Sequence, residues 1–304
     1  MIIAELIERI ATRLDDAGLC FGHGTDNARD EAAWLVLHVA GAPLDGSFTD
    51  WGMELQQPEQ DRAWELARAR CEGRAPLAYL LGSAWFAGLE FEVNEQVLVP
   101  RSPLAELVLD QFRPWVQPDG VHRVLDMCTG SACIAIATAL NLPAARVDAA
   151  DISPGALEVA QRNVRRFGLE GRVKLLLSDL FASVPSSRYD LIVSNPPYVP
   201  SCSVAGLPPE YRSEPGLGLA SGADGLDAVL SILLDAPRFL SEDGVLVCEV
   251  GESESHLADV LPSMPFVWLE FVHGGSGVFV LTKEQLQAAA QEVAGLIRNR
   301  SNVI

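Results

Sequence analysis

The 304-residue sequence lacks any apolar run near the roughly 18 residues that a membrane-spanning helix needs. It also lacks a basic leader at its amino terminus, where Glu5 and Glu8 interrupt apolar residues in the pattern of an amphipathic helix. These absences argue against a membrane protein and against a signal peptide. We therefore expect a cytoplasmic protein that does not bind a membrane.

Metal-ligand spacing is also missing. The six cysteines form no C-x-x-C pair, and the five histidines show no spacing typical of a metal site. We therefore predict that the protein holds no metal. The cysteines of a cytoplasmic protein are expected to be reduced, and several of these are expected to pack as small apolar side chains.

Positive charge is scarce in this sequence. It has 22 Lys and Arg residues against 41 Asp and Glu residues, for a net charge of −19. A surface this acidic repels the phosphates of nucleic acids, so we expect no direct nucleic-acid binding. It attracts basic partners instead and speeds their encounter.

The length predicts about two domains with an ample core. Residues 1–84 are predicted to form a small helical domain, because apolar residues recur there at steps of three and four with no strand-like alternation. The three helical stretches are residues 3–14, 30–39 and 58–71. The segment F-G-H-G-T-D-N between the first two is predicted to be a connecting loop.

Residues 85–112 are predicted to link the two domains. Apolar and polar residues alternate around Val93-Asn94-Glu95, which predicts a β-hairpin. Pro100 and Pro103 close this stretch, and residues 104–112 are predicted to form a helix.

Residues 113–304 alternate strand and helix patterns, which predicts an α/β domain with a parallel sheet. Strands are expected at residues 123–125, 147–150, 173–177, 191–193 and 245–250. Ser153 and Pro154 predict the start of a helix that Gly168 ends. Two late strands, at 266–271 and 278–282, have a connection too short for a crossover helix and are expected to be antiparallel. The tail from Lys283 is predicted to be a helix that frays after Gly295.

The candidate catalytic stretch is Y-D-L-I-V-S-N-P-P-Y, residues 189–198. A buried strand ends there in Asn195, a primary amide, which is followed by two stiff prolines and Tyr198. Open α/β sheets bind ligands at the carboxyl ends of their strands, so this amide is well placed to hold a substrate. Taken alone, N-P-P is more typical of a rigid turn, and a second motif upstream is what favours a functional role.

A second set of candidates follows three other strands. A turn of small residues follows the first strand, and Asp151, 25 residues after Asp126 (151 − 126), ends the second. A carboxylate at that place binds ribose hydroxyls in doubly wound folds, and Asp179 after the third strand is a candidate for an adenine amino group. Because neither G-x-G-x-x-G nor a P-loop is present, a nucleoside without phosphates is favoured, and S-adenosylmethionine fits. The candidate cofactor-binding residues are Asp126, Cys128, Thr129, Gly130, Ser131, Ala132, Asp151, Ile152, Asp179, Leu180 and Asn195.

Three motifs, D-M-C-T-G-S-A-C-I-A-I-A, D-I-S-P-G-A-L and V-S-N-P-P-Y, together resemble the HemK-type protein-(glutamine-N5) methyltransferases. The resemblance covers essentially the whole chain. It implies a helical substrate-recognition domain, a hairpin linker and a Rossmann-like class I domain dependent on S-adenosylmethionine. That domain has a seven-stranded mixed sheet whose last strand is antiparallel.

Three further segments, G-H-G-T-D-N, P-R-S-P-L-A-E and G-L-A-S-G-A-D-G-L, resemble the PrmB branch of this family. That branch methylates a glutamine of ribosomal protein three of the large subunit, so a basic ribosomal protein is the expected partner. The chain departs from the family at its cofactor turn, where Cys128 and Ala132 replace glycines. Both residues are small, so we expect a slightly tighter fit of the cofactor.

The resemblance also implies catalytic roles. The side-chain oxygen of Asn195 and the carbonyl of Pro196 accept the two hydrogens of the substrate amide, Pro197 stiffens the loop, and Tyr198 packs on the amide. Arg101 is expected either to orient the peptide or to link domains. Glu249 is expected either to shape the substrate side or to make a structural hydrogen bond.

Three other functions are compatible with parts of this pattern. Methylation of the peptide chain release factors is the alternative within the family, although their enzymes typically show P-R-P-[DE]-T-E. A DNA adenine aminomethyltransferase uses a similar tetrapeptide, but the acidic charge disfavours it. The third alternative is a non-catalytic ribosome-assembly factor that binds S-adenosylmethionine only as a ligand.

Overall fold

The computed structural model describes residues 1–301. The chain forms two compact units. We call the first, Met1–Arg101 with Leu207–Pro215, the helical unit; the second, which we call the sheet unit, comprises Ser102–Gly206 and the chain from Gly216 onwards. Within the described residues, no helix is both long and apolar enough to cross a membrane.

The helical unit is built from amphipathic helices that bury their apolar faces against one another. Its helices are α1 (Ile3–Asp16), α2 (Ala28–Val39), α3 (Gln57–Gly73) and α4 (Leu77–Leu81). The predicted stripe of α1 is buried from Ile3 to Leu14. Asn27 caps α2 by accepting a hydrogen bond from the backbone nitrogen of Asp30 at 2.9 Å. All three predicted helices are therefore confirmed.

The hairpin of this unit has a different turn from the one expected. It pairs β1 (Ser83–Phe86) with β2 (Leu89–Glu92) through a two-residue turn at Ala87 and Gly88. Both turn residues have positive φ, 49° and 75°, as a tight hairpin turn with the twist of its strands requires. The predicted hairpin is therefore confirmed, but its turn does not lie around Val93-Asn94-Glu95, because the alternation of apolar and polar residues continues past the paired strands.

The sheet unit contains a seven-stranded mixed sheet in the order β5-β4-β3-β6-β7-β9-β8. Its strands are β3 (Arg123–Met127), β4 (Arg146–Asp151), β5 (Val173–Leu177), β6 (Tyr189–Ser194), β7 (Leu240–Glu249), β8 (Val267–Trp268) and β9 (Val278–Thr282). The strands from β3 to β7 are parallel, and β9 is antiparallel to both of its neighbours. This arrangement confirms the predicted α/β class with an antiparallel last strand.

The sheet unit also contains eight α-helices among the described residues. They are α5 (Leu104–Leu109), α6 (Cys133–Asn141), α7 (Pro154–Arg166), α8 (Ser201–Val204), α9 (Gly216–Leu219), α10 (Asp227–Asp235), α11 (Glu254–Val260) and α12 (Lys283–Ser301). Ser153 caps α7 as predicted, with its hydroxyl accepting from Ala156 N at 3.2 Å. All six cysteines are free thiols, and Cys133 and Cys248 are buried.

The last helix is longer than expected. It continues beyond Gly295 to Ser301. Leu296 and Ile297 pack against the buried core of the sheet unit, and Arg300 forms an ion pair with Asp224. The predicted fraying after Gly295 was wrong, because the apolar face of α12 resumes after that glycine.

Candidate active site

The small-residue turn and the Asn195 turn follow adjacent parallel strands. Met127 at the end of β3 pairs with Ser194 at the end of β6, so the two turns begin at the same edge of the sheet. The Ser194 hydroxyl donates a hydrogen bond to the Met127 carbonyl at 2.9 Å and ties the starts of the two turns together. The sheet therefore brings together the two motifs that the sequence analysis singled out.

Asp126 organises the first turn from inside the fold. Its side chain is fully buried, and its Oδ2 accepts hydrogen bonds from the Thr129 hydroxyl at 2.5 Å and from Ala135 N at 3.0 Å. Burial raises the pKa of this carboxyl to about 7, although the bonds from Thr129 and Ala135 oppose the shift. Oδ1 is buried without a hydrogen-bond partner among the described residues.

The backbone of this turn is left-handed at Cys128, Gly130 and Ala132, with φ between 55° and 63°. The first and last of these are not glycine, and a left-handed residue that carries a Cβ costs roughly 1–2 kcal/mol. A Cβ added at Gly130 would meet no atom within 4 Å, so open space lies over the turn. A ligand can therefore approach this backbone closely.

Asp151 ends β4 beside the turn. Its Oδ2 accepts a hydrogen bond from Gly130 N at 2.9 Å, and its Oδ1 accepts one from Ser153 N at 2.9 Å. Burial raises the pKa of Asp151 above its usual value. The neighbouring Ile152 is 49% exposed, so its side chain is accessible to a ligand.

The third strand contributes Asp179 and Leu180. Asp179 is exposed, and Leu180 has a left-handed backbone with φ of 43°. Ser178 joins this segment to β4, because its backbone nitrogen donates to the Asp151 carbonyl at 2.9 Å. The three acidic candidates thus lie at or just after the carboxyl ends of three adjacent strands, β3, β4 and β5.

Asn195 has a side chain that is available to a ligand. It is half-buried at the start of its turn, and among residues 1–301 its amide has no hydrogen-bond partner. Pro196 is buried, and Pro197 and Tyr198 are half-buried. The turn therefore presents a stiff backbone with one unengaged amide group.

Tyr198 is fixed by two contacts of the sheet unit. Its hydroxyl donates to Glu249 Oε1 at 3.2 Å, and its carbonyl accepts from the Ser253 hydroxyl at 2.9 Å. Glu249 is buried, and its other oxygen accepts a short hydrogen bond from Ser102. Of the two roles expected for Glu249, the structure shows the hydrogen-bonding one. The sequence analysis missed Ser102 and Ser253, because nothing in a single sequence marks hydroxyls that meet over such separations.

Arg101 lies in the helical unit and forms a bidentate ion pair with Glu214. Its Nη1 and Nη2 lie 2.5 Å and 2.8 Å from the two carboxylate oxygens of Glu214. The sequence analysis identified neither Glu214 nor the neighbouring Glu210 as functionally relevant. Both glutamates lie in the proline-bounded segment P-P-E-Y-R-S-E-P, whose sequence is typical of an exposed loop. Their burial is explained only by their arginine partners, which are distant in the sequence.

Comparisons with known proteins place the chain in a family. Residues 5–82 match the PrmC N-terminal domain, and residues 106–205 match the Methyltransferase small domain. The chain is 48% identical over 298 residues to a ribosomal protein uL3 glutamine methyltransferase of Xanthomonas campestris pv. campestris, covering 98% of this chain and 96% of the relative. A protein of the same description from Bordetella pertussis is 47% identical over 285 residues, covering 93% and 96%. The chain belongs to the ribosomal protein uL3 glutamine methyltransferases.

This membership confirms the family resemblance drawn from the sequence motifs. Among solved structures, the hMettl16 catalytic domain in complex with a MAT2A 3′UTR hairpin is similar in fold, with a TM-score of 0.54 and 18% identity. The similarity covers 82% of this chain and 91% of that one. At this level of identity it supports the class I methyltransferase fold of a uL3 glutamine methyltransferase and nothing finer.

Proposed function

We propose that this protein transfers a methyl group from S-adenosylmethionine to the side-chain amide nitrogen of a glutamine in ribosomal protein uL3. The observation that carries the proposal is the unengaged amide of Asn195, held at the edge of the sheet beside the open small-residue turn. Family membership supplies the reaction type and the client.

The residues around the first turn fit S-adenosylmethionine. Open space over Gly130 lets the ligand approach the backbone, and the unpartnered Oδ1 of Asp126 remains available beneath it. In this proposal Asp151 accepts hydrogen bonds from the ribose hydroxyls, and the exposed Ile152 covers the adenine. Asp179 and Leu180 would border the adenine from the next strand. When bound, the cofactor supplies an electrophilic methyl group on a sulfonium sulfur.

Asn195 and Pro196 carry the catalytic role in this proposal. An amide nitrogen is a weak nucleophile because its lone pair is delocalised into the carbonyl. The Oδ1 of Asn195 and the carbonyl of Pro196 accept its two hydrogens, which fixes the nitrogen and aligns its lone pair. Alignment of this kind can contribute roughly 7–11 kcal/mol to lowering the barrier, so no strong base is needed before transfer.

Pro197 and Tyr198 hold this arrangement. Pro197 limits the backbone freedom of the turn. The Tyr198 ring, fixed through Glu249 and Ser253, packs on the plane of the substrate amide. The N-P-P-Y segment, residues 195–198, therefore acts by positioning the substrate.

The net charge of −19 suits a basic ribosomal protein as the client. We assign recognition of uL3 to the helical domain and place the enzyme in the cytoplasm, where a bacterial ribosomal protein is made. Replacing the exposed acids Asp61, Glu65 and Glu72 of α3 by their amides tests this assignment. The KM for full-length uL3 should rise, while turnover of a short glutamine peptide stays unchanged. An unchanged KM at low salt would show that α3 does not attract uL3.

The direct test of function uses labelled S-adenosylmethionine with separate pools of free uL3, release factors and DNA. We expect label in uL3 alone, located by mass spectrometry on a single glutamine side chain. Label in the release factors or in DNA, with none in uL3, would contradict the proposal.

A further inference from the structure

The chain that follows Tyr198 leaves the sheet unit and comes back to it. We call residues 202–218 the return loop. Its ends are held together, because Val199 N donates to the Leu219 carbonyl at 2.8 Å and Ser221 N donates to the Val199 carbonyl at 2.9 Å. The hydrogen bonds that close the return loop therefore begin at Val199, the residue after Tyr198.

The middle of the return loop, Leu207–Pro215, belongs to the helical unit. Glu210 is fully buried there, with its Oε1 2.8 Å from Arg74 Nη2 and 3.6 Å from Nη1 of the fully buried Arg70. The same oxygen accepts a hydrogen bond from Cys20 N at 3.1 Å. The Glu210 carboxylate is thus held by two arginines at the end of α3 and by a backbone nitrogen of the loop that follows α1.

Glu214 is the second buried carboxylate of this segment. Besides the two-pronged contact with Arg101, it accepts from Val99 N at 3.1 Å, and His23 Nε2 lies 3.5 Å from its Oε2. The Tyr211 ring packs against the same partners, 4.6 Å from the His23 ring and 5.4 Å from the Arg101 guanidinium. The return loop is therefore fixed at two points one turn apart.

Such anchors are costly to break because they are buried. Taking one partner from a buried ion pair leaves an uncompensated charge in a medium of low polarity, unlike the loss of a surface pair. Glu210 and Glu214 therefore resist movement of the segment that they belong to. A loop held in its middle also has less freedom at its ends, which lie next to Tyr198.

We propose that Glu210 and Glu214 are positioning residues for methyl transfer. They hold the middle of the return loop in the helical unit, restrict its two ends, and thereby keep Tyr198 in place for the substrate amide. This inference rests on the proposed function.

The test compares Glu210→Gln, Glu214→Gln and the milder Arg101→Lys, which keeps the charge but loses the two-pronged contact. Asp148→Asn is the matched control, because it removes a buried carboxylate that pairs with Arg123 at 2.6 Å within the sheet unit. We expect the three variants to lower kcat on uL3 by about tenfold and to leave the Kd for S-adenosylmethionine within about twofold. Amide hydrogen exchange of residues 199–222 should become about tenfold faster.

Asp148→Asn should lower thermal stability without changing kcat or exchange in residues 199–222. Unchanged kcat and exchange in folded Glu214→Gln and Arg101→Lys would overturn the inference, as would an equal loss of kcat in Asp148→Asn. If the wild-type protein does not methylate uL3, the proposed function is wrong. Hydrogen exchange still decides in that case whether the two carboxylates hold the loop ends.

Discussion

The phenolic hydroxyl of Tyr198 donates to the buried carboxylate of Glu249 across 3.2 Å, and the same carboxylate accepts from Ser102. Tyr198 also lies tightly over the backbone of Gly251. A Cβ added at Gly251 would come within 2.7 Å and 2.8 Å of two ring carbons of Tyr198. Two features therefore set the position of Tyr198: its hydrogen bond to Glu249, and the lack of a side chain at Gly251, which leaves room for the ring.

Gly251→Ala should displace Tyr198 and lower kcat by about tenfold, because loss of alignment raises the barrier. Gly168→Ala is the matched control, since Gly168 also has a positive φ but a Cβ there would meet nothing within 4 Å. Both substitutions should destabilise the fold by about 1–2 kcal/mol through backbone strain. Steady-state kinetics that showed equal kcat losses for the two variants would rule out a specific effect on Tyr198.

Gly130→Ala should weaken cofactor binding. The added methyl projects into the open space over the turn, where we place S-adenosylmethionine. Isothermal titration should show a Kd for S-adenosylmethionine raised by about tenfold or more, while the melting temperature falls by only the few degrees expected from about 1 kcal/mol of strain. Normal cofactor affinity in this variant would place the ligand elsewhere.

Glu214 should make the protein sensitive to acid. Burial alone would raise its pKa, but His23 and Arg101 hold the pKa at about 2, below the usual 4.5. A depressed pKa adds stability above the unfolded value, and this contribution is lost as pH falls from about 4.5 towards 2. The full contribution is roughly 3 kcal/mol, from a pKa shift of about 2.5.

Urea unfolding at pH 7 and at pH 3, followed by tryptophan fluorescence, measures this contribution. Wild type should be more stable than Glu214→Gln at pH 7, and the difference should shrink at pH 3. Glu65→Gln is the control, because the Glu65 side chain is 62% exposed and should leave the curve of the wild type unchanged. A difference between wild type and Glu214→Gln that stayed constant with pH would contradict the assigned pKa.

Much of the sheet unit could be predicted from the sequence. Each predicted parallel strand is present, because runs such as Leu191-Ile192-Val193 are apolar, rich in β-branched residues and fully buried. The start of α7 followed from local chemistry as well, since Ser153 needs only the next turn of chain to act as a cap. Sequence patterns that span only a few neighbouring residues were therefore sufficient to predict these strands and the start of this helix.

Features that depend on distant partners could not be predicted in this way. Glu210 and Cys20 are 190 residues apart in the chain, and Glu214 and Arg101 are 113 apart. The hairpin turn was misplaced for a local reason, because Ala87 adopts a positive φ that alanine seldom takes. The motifs were enough to predict a candidate site, whereas the contacts that hold Tyr198 could be seen only in the folded structure.

In the proposed mechanism the Asn195 side chain accepts a hydrogen bond from the acceptor amide. Single-turnover methyl transfer to uL3 by Asn195→Ala tests this role most directly. We expect the rate to fall by at least about 100-fold, as when a preorganised hydrogen-bonding group is removed from an active site. Affinities for S-adenosylmethionine and uL3 should stay within about threefold of wild type, because the side chain has no structural partner to lose. Asn195→Asp, which keeps an acceptor oxygen, should retain more activity than Asn195→Ala. Transfer at the wild-type rate by Asn195→Ala would contradict the account.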